Sequence, residues 1–336
     1  MLKESLAKLI NQEDLSETEM IQVMTLIMDG GASGAQIGSF LTALRLKGET
    51  VAEITGAARV MRAKSLKVNF QAPVVLDTCG TGGDGANTFN ISTTVAFVLA
   101  GAGIPVAKHG NRAVSSRCGS ADLLELLGIK VDLAPEQVEN CLKKVGIGFL
   151  FAPIFHTAMK HAAAPRRELG FRTIFNLLGP LTNPANANCQ LIGVYQPQLT
   201  PVLAQVLRNL GTKRAMVVHG GGGLDELSLE GVNQVSFLKD DLIETFTFSA
   251  VELGLETASN KLLESKEPIA NARLTEEILN RKQTGPCLEI VLLNAAAALV
   301  VAGVASDLKA GVAKARQVIT TGCAAEKLAA LQAIAV

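Results

Sequence analysis

The sequence predicts an α/β protein: a small all-helical domain plus a larger α/β domain with a mainly parallel central sheet flanked by helices. Three observations carry this. Over the first 65 residues, apolar side chains recur at three- and four-residue spacing, the period of a helix face. After Asn69 the pattern changes to short β-branched runs that end in glycine and alternate with helical segments, the grammar of a parallel sheet. The chain of 336 residues is also longer than one simple core usually supports.

The helical start is carried by LKESLAKLI, MIQVMTLIM and IGSFLTALRL. Ser16 and Thr50 each stand three residues before a glutamate, the capping-box pattern, and glycines at 30–31 and 48 mark breaks. PVVLDTCG then reads as a buried strand, STTVAFVLAGAG as a helix, GIPVAKHG as a second strand and CGSADLLELLG as a second helix with Ser120 as its N-cap. Further strands are predicted at IGFLFA, QLIGVYQ, RAMVVHG, VSFLK and IETFTF. Further helices are predicted at 135–145, 199–210, 274–283, 286–304, 307–319 and 322–334. The helix within RRELGFRTIFNLLGPLTNPANAN is expected to end before Gly179-Pro180, because proline lacks the helical N–H. The expected boundaries are 1–70 for the helical domain, joined by helices from about 165–185, and 71–336 for the α/β domain.

Composition narrows the function. Apolar residues make up 48%, charged residues 18%, and the formal net charge is zero. A nucleic-acid binder ordinarily carries a basic excess, so that class is disfavoured. The opening MLKESLAKLINQEDL lacks the long apolar run of a signal peptide. The most apolar stretch, 287–304, is interrupted by Glu289 and Asn294 and reads as a buried helix, with no membrane span expected. Six cysteines without metal-like spacing read as reduced thiols of a cytoplasmic protein.

Residues 80–85, GTGGDG, match the dinucleotide fingerprint G-x-G-x-x-G. That fingerprint needs an acid about 20 residues on to hold the ribose. None occurs from Gly85 to Ala121, and the next strand ends in Lys108-His109. No GK[ST] follows either, so a Walker loop is excluded. What remains is an acid-free stretch with Lys108, Arg112 and Arg117 and many small donors, feeding helix starts near Ser92 and Ser120. Helix N-termini present free N–H groups and partial positive charge, which suits a ligand with more than one phosphate. Either turn alone is equally well explained as a tight connection that glycine and hydroxyl residues close. A third strand end, RAMVVHGGGGLDELSLEG, adds Asp225-Glu226 after a four-glycine run. Two carboxylates beside a polyphosphate need a cation between them, and Mg²⁺ takes one or two carboxylates plus phosphate oxygens and water.

Together these segments resemble the anthranilate phosphoribosyltransferases. The resemblance rests on GTGGDGANTFNIST at 80–93, KHGNRAVSSRCGSADLLE at 108–125, RRELGFRTIFNLLGPLTNPA at 166–185 and HGGGGLDELSLEG at 219–231. It departs from the family pattern at 162–166, AAAPR, and in the all-glycine 220–223. The resemblance implies transfer of the phosphoribosyl group of phosphoribosyl pyrophosphate to the anthranilate amine, with Mg²⁺ as cofactor and a homodimer as the assembly. It implies that Gly80, Gly83, Asp84, Thr88, Asn90, Ile91, Ser92, Thr93, Lys108, His109, Gly110, Asn111, Arg112, Ala113, Val114, Ser115, Ser116 and Ser120 contact phosphoribosyl pyrophosphate. It implies that Gly80, Asn111 and Arg166 bind anthranilate, and that Ser92, Asp225 and Glu226 hold magnesium.

Lys108 and His109 are the catalytic candidates. Lys108 would stabilise the pyrophosphate leaving group. His109 reads equally as a base or as pocket lining, because a neutral aromatic amine needs positioning more than a strong base. Arg166 would pair with the anthranilate carboxylate, with Arg167 as its alternative. His156 and His161, expected on one helix, and His219, at a strand end, read as structural. Two other functions fit parts of the sequence: a pyrimidine nucleoside phosphorylase and a non-catalytic nucleic-acid-binding relative.

Overall fold

The computed structural model describes residues 1–113, 117–265 and 267–335. It opens on α1 (Leu2–Ile10), α2 (Glu17–Met28), α3 (Gly34–Lys47) and α4 (Val51–Lys64). Both expected capping boxes form at Ser16 and Thr50, and a third, Ser33 with Gln36, starts α3. Glu53, fully buried, also takes the Leu15 N–H at 2.9 Å and the Lys47 ammonium at 3.0 Å, so its charge is compensated inside the bundle.

Next come β1 (Leu76–Gly80), α5 (Ile91–Gly101), β2 (Val106–Gly110), α6 (Ser120–Leu126), α7 (Pro135–Lys144) and β3 (Ile147–Phe151). The short helix α8 (Ala152–Phe155) leads to α9 (Lys160–Leu169), α10 (Ile174–Leu181), β4 (Cys189–Gly193), α11 (Leu199–Asn209) and β5 (Arg214–His219). After β6 (Val232–Lys239) and β7 (Leu242–Ser249), the chain closes with α12 (Pro268–Leu279), α13 (Pro286–Val301), α14 (Leu308–Thr321) and α15 (Cys323–Ile334). The seven-stranded sheet has the order β3-β2-β1-β4-β5-β6-β7. Its first five strands are parallel, and β6 and β7 are antiparallel.

Period-two alternation sends the strand side chains into two cores. Leu191, Met216 and Val218 join the cluster built with α5 and α13, while Ile192, Ala215 and Val217 join the one built with α10, α11 and the first four helices. Helix α9 lies against α2 and α3, and α10 against α3 and α4.

Four local expectations are corrected. Gly119, not Ser120, is the N-cap of α6, and Ser120 is its first helical residue, with its hydroxyl turned to the Asn111 carbonyl. Helix α10 does not stop before Gly179-Pro180 but runs to Leu181. Pro180 falls in the last turn, where its missing N–H costs one bond, and Leu177, Leu178 and Leu181 around it are buried. His156 and His161 are not on one helix, because His156 ends α8 and a 3-10 turn intervenes before α9. Helix α12 begins at Pro268, six residues before the expected 274, since proline suits a first helical position.

Helix α13 is the buried apolar helix read from the sequence, and its interruption has a cause. Asn294, fully buried, accepts from the Leu227 N–H at 2.9 Å and donates to the Leu227 and Ile290 carbonyls, each at 2.9 Å. It clamps the segment after Asp225-Glu226 to the sheet's back. Asn294→Ala leaves both Leu227 groups buried without partners, and each such group costs ~1–3 kcal/mol. A stability loss of about 2–4 kcal/mol is expected in urea unfolding; a loss under about 1 kcal/mol would remove this clamp from the account.

Candidate active site

The parallel sheet reverses strand order between β1 and β4, and in open α/β sheets the crevice at such a switch point receives the ligand. Here the paired strand ends are Gly80 and Gly193. A Cβ on Gly80 would lie 2.3 Å from the Asp225 Oδ2, and one on Gly193 would lie 1.6 Å from the Asp225 carbonyl oxygen. Neither has positive φ, so glycine is required here by close approach. Further along the loop Gly83 does need the left-handed region, at φ 81°.

Asp225 therefore sits directly over the β1 end. Its Oδ2 accepts from the Gly82 N–H at 2.6 Å, and its own N–H donates to the Asp84 Oδ2 at 3.3 Å. Burial raises the Asp225 carboxyl well above its usual range, with the Asp84 and Glu226 charges adding to the effect. Burial also raises Glu226 to about 7, while the Lys108 charge and hydrogen bonds from Ser92 pull the other way. Asp84, Ser92 and the Asp225-Glu226 pair, from three separate segments, thus converge, with Lys108 beside Ser92 and Glu226.

Lys108 is buried and donates to the Thr78 carbonyl at 2.5 Å and to the Ser92 Oγ at 3.3 Å. Its neighbour His109 points to the other face of the sheet. There the His109 Nδ1 lies 3.2 Å from the Gly179 carbonyl of α10, and the ring centroid is 5.0 Å from that of His156. A carbonyl only accepts, so Nδ1 carries the proton, and the buried Nε2 is an acceptor without a partner. Burial first, and then His156, lowers His109 to about 3, so it is neutral at neutral pH.

The remaining donor candidates line two loops. Asn90 is the N-cap of α5, Ile91 its first residue, and Thr88 bridges to Glu264. The Thr93 hydroxyl is buried without a partner, and Thr93 and Lys108 both line a core cavity of about 10 Å³. In the second loop the Ser120 Oγ donates to the Asn111 carbonyl at 3.2 Å and would be 2.1 Å from a Cβ on Gly110. Asp122 accepts from the Ala113 and Gly119 N–H groups at 2.9 and 2.8 Å and closes this loop. Arg112, exposed, pairs with Asp122 and Glu125 at 3.1 and 2.6 Å, a pairing the acid-free stretch upstream did not suggest. Val114, Ser115 and Ser116 lie outside the described residues. Arg166, half-buried on α9, stacks over Phe175 at 4.9 Å, while Arg167 is exposed, which favours Arg166 for a recessed site. His219 Nδ1 meets the Val194 carbonyl at 2.7 Å.

Residues 3–65 match the helical bundle domain of a glycosyl transferase family, and residues 72–325 match its a/b domain. The anthranilate phosphoribosyltransferase of Desulfosudis oleivorans is 55% identical over 328 residues, covering 98% of this chain and 97% of that one. The chain belongs to the anthranilate phosphoribosyltransferase family. A crystal structure of the anthranilate phosphoribosyltransferase from Thermus thermophilus superposes with a TM-score of 0.93 at 43% identity, covering 98% of both chains. The Saccharomyces cerevisiae anthranilate phosphoribosyltransferase, solved in complex with phosphoribosyl pyrophosphate and Mg, gives 0.91 at 31%, covering 99% of this chain and 97% of that one.

For an anthranilate phosphoribosyltransferase, the structure adds residues that the sequence reading missed. Buried Asp77, raised to about 6 mainly by burial, accepts from the His109 N–H at 3.1 Å and from Asn183 at 2.8 Å. An acid inside a buried strand was the available signal. Arg172 donates to the Gly83 carbonyl and stacks over Tyr195 at 4.1 Å, joining the first loop to the end of β4. Asn271 pairs with Asn90, and nothing in its surrounding sequence marks it.

The raised carboxylates give a pH dependence with a definite sign. Glu226 titrates near 7 when folded against 4.5 unfolded, so folding takes up a proton between those values. That stabilisation is complete below the unfolded value and is lost as pH rises through the folded one; Asp225 and Asp77 act in the same direction. The Tm of metal-free protein is expected to fall between about pH 5 and pH 8, and Glu226→Gln to flatten part of that slope. An unchanged slope in the variant would assign the titration to other groups.

Proposed function

We propose that the chain catalyses Mg²⁺-dependent transfer of the phosphoribosyl group from 5-phosphoribosyl 1-pyrophosphate to the amine of anthranilate, giving N-(5-phosphoribosyl)anthranilate and pyrophosphate in tryptophan biosynthesis. The observation that carries it is the Asp84, Asp225 and Glu226 cluster closing over two glycine-rich strand ends at the switch point, beside buried Lys108.

The donor set suits a hard divalent cation. It is all oxygen, and the Asp225 and Glu226 carboxyls are raised by burial first and then by neighbouring carboxylate charge that a cation would relieve. Among the described residues no group of three or more His, Cys, Asp and Glu side chains could hold a metal ion, so phosphate oxygens and water would complete the shell. Asp225, Glu226 and Ser92 would hold Mg²⁺, which when bound neutralises charge on the pyrophosphate.

In the transfer, the bond from C1 to the pyrophosphate oxygen breaks with its electron pair leaving on oxygen, and the amine nitrogen bonds to C1. Lys108, fixed by Thr78 and Ser92, stabilises the leaving group. The N–H groups starting α5 approach the same charge. Arg166, its guanidinium 4.9 Å over the Phe175 ring, pairs with the anthranilate carboxylate. The ammonium formed by attack is acidic, so it passes its proton to solvent without a strong base. The same reading places the enzyme in the cytoplasm as a homodimer, in keeping with exposed Ile10 of α1 and Leu46 of α3. No helix among the described residues is long and apolar enough to cross a membrane.

The purified protein with phosphoribosyl pyrophosphate, anthranilate and Mg²⁺ is expected to consume anthranilate fluorescence and release pyrophosphate in equal amounts. Phosphorolysis of thymidine or uridine without anthranilate turnover would replace this reading. The double variant Asp225→Asn, Glu226→Gln is expected to need at least about tenfold more Mg²⁺ for half-maximal rate, the scale of one lost charge-assisted ligand. An unchanged magnesium titration would remove the pair from metal binding. Arg166→Ala is expected to raise the KM for anthranilate about ten- to hundredfold, with little change for the donor. The reverse pattern would move the acceptor site elsewhere.

A further inference from the structure

We propose that Asn271 is a positioning residue for the phosphoribosyl-donor site, fixing the Asn90 amide and through it the spacing of the two donor loops. The proposal rests on the donor-site reading above, in which Asn90 faces the donor.

Asn271 lies in the first turn of α12 and is 1% exposed. Its Oδ1 accepts from the Asn90 backbone N–H at 3.1 Å, and its Nδ2 donates to the Asn90 Oδ1 at 2.7 Å. The first bond removes any ambiguity of amide orientation. A backbone N–H can only donate, so it must face the Asn271 oxygen. The Asn271 NH₂ is then turned to the Asn90 oxygen, and the Asn90 NH₂ to the opposite side. There it donates to the Cys118 carbonyl at 3.3 Å, in the loop between β2 and α6. One buried side chain thereby sets the polarity of a three-part relay from α12 through the first loop to the second.

Two further observations make this more than packing. Asparagine at an N-cap normally bonds back to its own first turn. Asn90 makes no such bond, whereas Ser16, Ser33 and Thr50 all do. Holding the Asn90 amide away leaves the first-turn N–H groups of α5 unspent by their own cap. The same part of the chain also straps the first loop just upstream: the Phe89 N–H donates to the Leu263 carbonyl at 2.9 Å, and Thr88 bridges to Glu264. Helix α12 packs against both α5 and α6, so it can hold both loop ends in one frame.

The test is calorimetric titration with phosphoribosyl pyrophosphate and Mg²⁺, paired with the KM for anthranilate. Asn271→Ala is expected to weaken donor binding about tenfold, the scale of one or two lost hydrogen bonds, and to leave the anthranilate KM unchanged. Asn271→Asp, which keeps the acceptor but sets a carboxylate against the Asn90 oxygen, is expected to weaken it as much. In an Asn90→Ala background, Asn271→Ala should add less than it costs in the wild type, because only its bond to the backbone N–H of residue 90 is left to lose. Thr275→Val, one turn on, loses a 3.1 Å contact with Thr94 and serves as the packing control. It should lower Tm without changing donor affinity. The proposal is overturned if Asn271→Ala lowers Tm alone, or if its effect multiplies in full with that of Asn90→Ala. Donor binding that is unaffected by Asn90→Ala, or absent in the wild type, overturns both the proposal and the donor-site reading. Intact donor binding with no transfer to anthranilate tells against the reaction alone and leaves the Asn271 result to stand.

Discussion

Between the carboxyl ends of β1 and β4 there is room for a backbone and for nothing with a side chain. Gly80 and Gly193 are paired there, and Asp225 crosses both at distances that any Cβ would occupy. This contact brings a residue from the segment after β5 across β4 onto the first glycine loop. Without it, Asp84 and Asp225 would belong to separate surfaces. With it, the end of the sheet becomes a site.

The contact is held against charge. Burial and mutual repulsion raise the Asp225 and Glu226 carboxyls, and only Lys108, Ser92 and a few N–H groups oppose that. Such an arrangement persists only if its surroundings over-determine it. Asn294 does so from behind, gripping Leu227 from a helix otherwise apolar at its centre. Asp77 and Asn183 do so from beneath β2, where Asn183 donates to both the Asp77 carboxylate and the Ala107 carbonyl. The polar groups that look out of place in buried elements are the ones that hold the site in shape.

Much of this was legible in the sequence. The helical start, the capping boxes and the alternation of strand and helix follow from periodicity and short-range caps, which are local properties. The glycine loop, Lys108 and the Asp225-Glu226 pair were legible because chemistry concentrates there at strand ends. What was not legible was set by tertiary contact. Pro180 stays helical because its neighbours are buried. Arg112 is bound by acids that lie just past the stretch in which none occurs. Asn271 lies 181 residues from Asn90 in the chain and carries no motif of its own. Thr93, counted among the small donors, turns its hydroxyl into the core, since one face of a helix start must pack.

Strand β2 carries Lys108 and His109 side by side, yet sends them to opposite faces of the sheet. In the proposed transfer this makes the strand a partition: the polyphosphate end lies on one side and the aromatic acceptor on the other. A lineage or a designer can therefore remodel the acceptor pocket through α9 and α10 while the donor machinery stays as it is.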